Sequence, residues 1–331
     1  MNSFYLDKNK AFYDFLETQL QLFKGHFMVT RASKDEEAIH QMRVAIKRIR
    51  TIQKFKKNID FPLEIPVSLN ETIKTIFTTA GKLRDLQIET TMLKQYKKEL
   101  KSPFSELENH LTENNVMLNE SLDSTLREID LSQIDTLTGQ QGQMNETGYQ
   151  TDIEKECLGF VTRKIEKINP LLNLLSNEGK VHELRKQVKQ LFFILQFLSE
   201  QFEGNIFFGY DLKNLKKLAD TIGFWNDQDF FGQMVVKFIS SKEEGFVENH
   251  PEYLILIYVI ENEKQKLLFD IDLELYLEII NLSVKLDKEL YGTDSMHKVT
   301  EPFSLPVATL PVHNPDFQDE KLSEDSMTVL K

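Results

Sequence analysis

His40, Arg43, Lys47, Arg50 and Lys54 recur at intervals of three and four residues, the spacing that places side chains on one face of an α-helix. Met42, Ala45, Ile46, Ile49 and Ile52 recur on another face of the same stretch, so one side suits a core and the other is cationic. No acidic residue occurs between Ala38 and Asn58. The cations therefore lack the carboxylates one turn away that commonly neutralise a helical lysine or arginine. Their anions must come from elsewhere. Arginine grips two oxygens at once, lysine supplies a compact charge, and an imidazole adds a titratable donor.

Such a row is an exception in this chain. Its 331 residues carry 40 Lys and Arg against 52 Asp and Glu, a formal net charge of -12. That balance disfavours a wholesale nucleic-acid binder, and a basic helix inside an acidic protein points instead to a localised anion site. The lone Cys157 permits no internal disulfide and fits a reducing compartment. Residues 1–11 are polar and charged where a secretory signal would be apolar. The longest apolar runs, 191–195 and 253–260, fall short of the roughly 20 residues that cross a bilayer. A cytoplasmic protein with no membrane association is expected.

The elements that must carry the row are helical. Alternating β-branched runs and hairpin turn signals are scarce. Phe12, Phe15, Leu16, Leu20, Leu22 and Phe23 mark a first amphipathic helix, and Asp35, Glu36 and Glu37 suit the positive end of the basic one. Pro62 and Pro66 end it; Ile73, Ile76 and Phe77 begin a third helix, which Gly81 interrupts, and a fourth is predicted over 102–126. From 131 to 151 apolar periodicity gives way to Gly, Gln, Thr and Asn, the composition of a polar linker. Helices are then predicted over 152–175, 180–200, 211–222, 224–241, 252–268 and 272–290. Residues 292–331, with four prolines and no helical period, are expected to form a disordered tail, although Phe303, Leu305, Val307 and Leu310 could dock on something.

The basic motif occurs twice. His182, Arg185, Lys186, Val188 and Lys189 repeat the pattern of His40, Arg43, Ile46 and Lys47 at an offset of 142 residues. The same offset carries Gly81, Arg84, Asp85 and Gln87 onto Gly223, Asn226, Asp227 and Asp229, and Lys74 onto Lys216. A register held without insertion over that distance indicates two copies of one helical unit, 1–130 and 152–291.

These residues resemble the CHAD family, the conserved histidine α-helical domain: His-x-x-Arg with further cations, then Gly-x-x-Arg/Asn-Asp about forty residues on, both duplicated. The resemblance runs from Phe12 to Tyr291. It implies an all-α fold of two four-helix bundles related by a pseudo-twofold axis, with basic helices facing a central channel or groove. It also implies binding of inorganic polyphosphate without covalent chemistry and without a cofactor.

A polyphosphate chain follows polyelectrolyte rules, so many donors are needed and no catalyst. On the first basic helix Arg43 and Arg50 would supply forks and Lys47 and Lys54 point charges, with Arg48 a further cation there and Arg84 on the next helix. The second offers Arg185, Lys186 and Lys189; Lys74 and Lys216 would stand further out. Gln190 and Phe192 replace Arg48 and Arg50 there, so the first half should dominate. His40 and His182 head the two rows, either as phosphate donors that strengthen binding as pH falls through the histidine range, or as rings satisfied by a backbone carbonyl at a helix start. Neither has the spacing of a metal site. Asp85 and Asp227 would orient an arginine or hold a helix contact. Gly81 and Gly223 would permit close packing or a bend. Trp225, Phe192, Phe193, Phe197 and Cys157 read as core.

Two alternatives remain open on the sequence. One is an enzyme acting on phosphoanhydrides, although the Glu-x-Glu-x-Lys signature and strands of a CYTH-type triphosphatase are missing. The other is a protein-interaction scaffold with acidic outer surfaces.

Overall fold

Asp35 starts the basic helix by local chemistry. Its carboxylate accepts the Ala38 N–H at 2.7 Å, and Glu36 and Glu37 occupy the first turn of α2, Glu36–Lys56, where the helix dipole favours negative charge. The preceding helix α1, Asn2–Ser33, closes at Lys34, whose φ is 54° and whose N–H bonds Thr30 O at 2.9 Å. The chain thus reverses within two residues. Phe12, Leu16, Leu20, Phe23 and Phe27 of α1 are buried with Ile39, Met42, Ile46 and Ile49 of α2, and the two helices pack together along their length.

The computed structural model describes residues 2–56, 65–139, 153–172, 174–175, 177–201 and 206–291. Among these residues there are ten α-helices and no strand, so the fold is all-α. None of these helices is long and apolar enough to cross a membrane.

Four expectations from periodicity change. The third helix, α3, runs unbroken over Val67–Leu100, about 50 Å at 1.5 Å per residue. Gly81 does not interrupt it, because a glycine costs only about 1 kcal/mol relative to alanine and Ile76, Ala80 and Leu83 are buried on either side. After α4, Ser105–Glu128, the expected linker begins instead with α5, Ser132–Gly139. Asp130 accepts the Ser132 N–H at 2.9 Å, and Leu131, Ile134 and Leu137 are buried as α5 packs on α1. Eight residues were too few to register as a period. Residues 140–152 lie outside the described residues.

Next come α6, Ile153–Ile168, a single 3₁₀ turn at Asn169–Leu171 and α7, Glu178–Gln201. Where two helices were predicted on either side of Gly223, one helix, α8, spans Lys213–Ser240. A short α9, Phe246–Asn249, leads to α10, Glu252–Tyr291, again one helix where two were predicted. The Pro-containing tail lies outside the described residues.

Neighbours follow two cycles. α1 packs on α2, α2 on α3, α3 on α4 and α4 on α1; likewise α6 packs on α7, α7 on α8, α8 on α10 and α10 on α6. Between the cycles α1 meets α6, α2 meets α7 and α3 meets α8. One large apolar cluster draws on both cycles. In it the Phe12 ring lies 5.5 Å from Phe55 and 5.6 Å from Phe197, and Phe55 lies 5.9 Å from Phe160. The two cycles therefore share a core.

A second, smaller cluster joins Leu86, Met92 and Tyr96 of α3 to Phe231 and Phe238 of α8 and Tyr253 of α10. Tyr96 stacks on Phe231 at 5.8 Å and donates to Gln228 Oε1 at 2.8 Å. Along α3 the first cluster ends at Leu83 and the second begins at Leu86; along α8 they are separated by Asn226 to Asp229. This polar seam between two apolar clusters is where the basic faces of α2 and α7 arrive.

Candidate anion-binding site

α2 and α7 pack against each other, and each sends an arginine and a lysine into the seam. Arg43 and Lys47 come from one, Arg185 and Lys189 from the other, all partly buried. Burial pushes Lys47 down to about 7, and the charges of Lys189, Arg185 and Arg43 push it the same way. Lys189 is pushed down to about 8, first by burial and then by Arg185. Both arginines are lowered too, again mainly by burial. Among the described residues the side chains of Lys47, Arg185 and Lys189 make neither a hydrogen bond nor an ion pair, and Arg185 Nε is buried without a partner.

Arg43 is held more firmly. Its Nη1 donates to the Phe77 carbonyl at 2.7 Å, and its guanidinium lies 4.4 Å from the Phe77 ring centre. Arg50 lies 4.1 Å from the same ring. A planar guanidinium is well suited to an aromatic face, so Phe77 is a platform for two arginines. Gly81, one turn further along α3, makes room: a Cβ there would collide with Arg43 Nη1. At Gly223 the corresponding Cβ would lie 3.9 Å from Lys189 Nζ, an ordinary contact. Gly81 thus gives passage to a basic side chain from the neighbouring helix, Gly223 is not required to, and neither breaks its helix.

Asp85 and Asp227 face the four cations from α3 and α8. Burial raises the pKa of both, while Arg43 and Lys47 oppose it most at Asp85, and at Asp227 the Asn226 amide and Arg185 do. Asp85 is nevertheless open to water at its edge. Neither carboxylate comes within ion-pair distance of a cation among the described residues, so they set a counter-field and leave the cations' donors unused. Glu89, next on the same face of α3, is pushed up to about 7 by burial and by Asp85.

The two histidines differ. His182 is held by Asn226 Oδ1 at 3.1 Å from Nδ1 and by Asp229 Oδ2 at 3.1 Å from Nε2. His40 makes no hydrogen bond among the described residues; burial lowers its pKa, as do Arg84, Lys47 and Lys189, against Glu37. Neither ring is satisfied by a backbone carbonyl. Arg84 donates to Gln87 Oε1 at 3.3 Å.

Other predicted site residues lie away from the seam. Arg48 bridges Gln19 of α1 at 3.3 Å and Gln196 of α7 at 3.2 Å, a brace between three helices. Lys54 is exposed near enough to Lys164 to lower the latter's pKa. Lys186 and Lys216 are exposed, and Lys74 pairs with Glu71 at 3.3 Å in solvent. Among the described residues no cluster of His, Cys, Asp and Glu could hold a metal ion. Trp225, Phe197 and Cys157 are buried as expected.

Three residues at or near the site carry no site signal in the sequence. Phe77 reads in the sequence only as a helix marker, though it precedes Gly81 by one turn. Lys164 is buried on α6 and donates to Gln187 at 2.9 Å and Gln190 at 2.6 Å; burial pushes it down to about 8. The offset places Leu22 opposite it, so the repeat gave no cue. Lys264, on α10, bonds Asp229 at 2.8 Å and Glu178 at 2.6 Å and has no repeated motif either.

The sequence pattern of the CHAD domain matches residues 14–235. The chain belongs to the CHAD family. The CHAD match includes both histidines, all four seam cations and both glycines, and stops before Lys264. A crystal structure of the CHAD domain from the plant Ricinus communis aligns with a TM-score of 0.56 and 15% identity, over 84% of this chain and 91% of that one. At that identity the likeness is one of fold. A comparison with curated proteins gives no match.

Proposed function

We propose that this CHAD protein binds inorganic polyphosphate non-covalently along the seam, in a basic groove formed where α2 and α7 meet, and that it performs no covalent chemistry on it. We also infer that the two helix cycles are duplicated four-helix bundles related by a pseudo-twofold axis. The matching order of neighbours and the pairing of α1 with α6, α2 with α7 and α3 with α8 support this, as does the 142-residue register.

One observation carries the anion reading. Lys47, Arg185 and Lys189 are crowded together, partly buried and unpaired. Like charges in that condition oppose folding unless something compensates them. A polymer of phosphates supplies repeated oxygens to the arginine forks and negative charge to the lysines. His40, Arg43, Arg50 and Arg84 extend the donor set on the first side. Asp85 and Asp227 keep the apo cluster from full repulsion without occupying its donors.

The test is binding of long-chain polyphosphate at two salt concentrations by the wild type and by Arg43→Ala/Arg50→Ala. Two lost charge-assisted hydrogen bonds, at about 1.5 to 3 kcal/mol each, predict a loss of about 10² to 10⁴-fold and a shallower salt slope. No binding by the wild type, or unchanged binding by the variant, rejects the proposal. Release of phosphate from polyphosphate or ATP with added divalent metal would replace it with an enzymatic one.

A further inference from the structure

His40 and His182 hold matching positions on α2 and α7, and their surroundings differ on every side. Around His182, α8 supplies Asn226 and Asp229, each 3.1 Å from a ring nitrogen. Asp229 also accepts from Gln233 at 2.9 Å and from Lys264 of α10 at 2.8 Å. Lys264 returns to α7 through Glu178 at 2.6 Å. The rings of Trp225 and Phe230 pack on the imidazole at 5.4 and 5.6 Å. With both nitrogens engaged, the ring has no donor left for a ligand.

Around His40 the charges are Lys47 on its own helix, Arg84 from α3, Lys189 from α7 and Glu37 one turn back. Three are cations. The residue that would have locked the ring, the counterpart of Asp229, is Gln87, and its oxygen is turned to Arg84. The counterpart of Asn226 is Arg84 itself. One side has acceptors for the imidazole; the other has competing donors, which is the setting of a group that meets an incoming anion.

Building on the polyphosphate reading, we propose that His40 alone contacts the polyanion, while His182 is a strut tying α7 to α8 and α10 through Asp229, the choice being made by Gln87 against Asp229. The asymmetry is thus one of histidines as well as of arginines.

The experiment uses the full chain with isotopically labelled histidine, ring signals assigned through His40→Gln and His182→Gln, and titration with long-chain polyphosphate. The expected result is a shift of the His40 ring signals and none at His182. His40→Gln should weaken binding by about tenfold with an unchanged melting temperature, and His182→Gln should lower the melting temperature with affinity held within about threefold. Gln87→Asp, which restores the locking carboxylate, should weaken binding in the wild type and much less in the His40→Gln background. A ligand-induced shift at His182, or loss of affinity in His182→Gln with the melting temperature held, overturns the proposal. If the wild type binds no polyphosphate, the functional reading fails; the melting temperatures need no ligand, and equal changes in the two variants would then overturn the assignment of His182 as the strut.

Discussion

At Asp229 the seam is closed by partners on three helices: His182 of α7, Gln233 of α8 and Lys264 of α10. At the matching place on α3, the Gln87 side chain among the described residues meets Arg84 one turn back. Carboxylate against amide here, with Asn226 against Arg84 beside it and Lys264 without a counterpart, separates a braced polar cluster from an open cationic one. Asp229 and Lys264 are 1% and 4% exposed, and each is compensated, so that side can contribute rigidity. On the other side His40 and Lys47 have mainly cations as their charged neighbours, and that is the side we propose for the anion. On the proposed reading, pairing makes structure on one side and the lack of it leaves donors for a ligand on the other.

The largest test of this contrast is Lys264→Met. It removes the cation that compensates a buried Asp229, and breaking a buried pair in this way costs about 3 to 5 kcal/mol, measured by chemical denaturation. Gln87→Ala on the other side should stay within about 0.5 kcal/mol. Equal losses would mean that the two sides are braced alike, and the contrast would fail.

How much of this the sequence could reveal depended on which residues repeat. The cationic face of α2, its apolar face and the His-x-x-Arg motif of α7 are local patterns with a period, and all three were legible. Gly81 and Gly223 read as sites of close packing or a bend because propensity is local, whereas the burial that carries α3 and α8 unbroken through them is not. α5 was missed for its shortness. The locking of His182 was hidden because Lys264 reaches Asp229 from 35 residues away, on a helix with no motif. Arg48 shared a motif with the site and yet braces α1 to α7, since its side chain leaves the helix on a different side from Arg43 and Lys47.

The second test concerns pH, and the structure moves its window. Burial lowers His40, while Lys47 and Lys189 are brought down to about 7 and about 8. In the free protein these lysines begin to lose their protons near neutrality, and a bound polyanion favours the charged forms. Binding therefore takes up protons. Affinity should be highest below pH 7 and fall as pH rises through 7 and 8, by up to about tenfold per pH unit for each lysine that must be recharged. Stability without ligand should move the other way. The folded pKa values lie below the ordinary 10.5, so the unfolded chain holds more protons between about pH 7 and 10.5, and these two groups make stability rise with pH across that window. Isothermal titration in buffers of different ionisation enthalpy checks the proton uptake. Lys47→Arg/Lys189→Arg, whose charges persist, should flatten the affinity profile.

The smallest effects belong to the glycines, and they sharpen the contrast most finely. Gly223→Ala adds a methyl group at an ordinary 3.9 Å from Lys189 Nζ. Its main consequence should be helix propensity, a gain of up to about 1 kcal/mol in stability, with affinity unchanged. Gly81→Ala gains the same propensity but drives the Arg43 guanidinium from its place, breaking its 2.7 Å bond to the Phe77 carbonyl and its stacking on Phe77. A hydrogen bond from a charged group is worth about 1.5 to 3 kcal/mol, so net stability should fall slightly or stay level. Polyphosphate affinity should drop in the same direction as in Arg43→Ala, because the displaced fork no longer points along the row. In Gly81→Ala/Arg43→Ala the clash has nothing to strike, and the alanine should then stabilise as it does at 223. Denaturation and binding of the four variants decide whether the glycine serves the arginine: if Gly81→Ala weakens binding equally with and without Arg43, it does not.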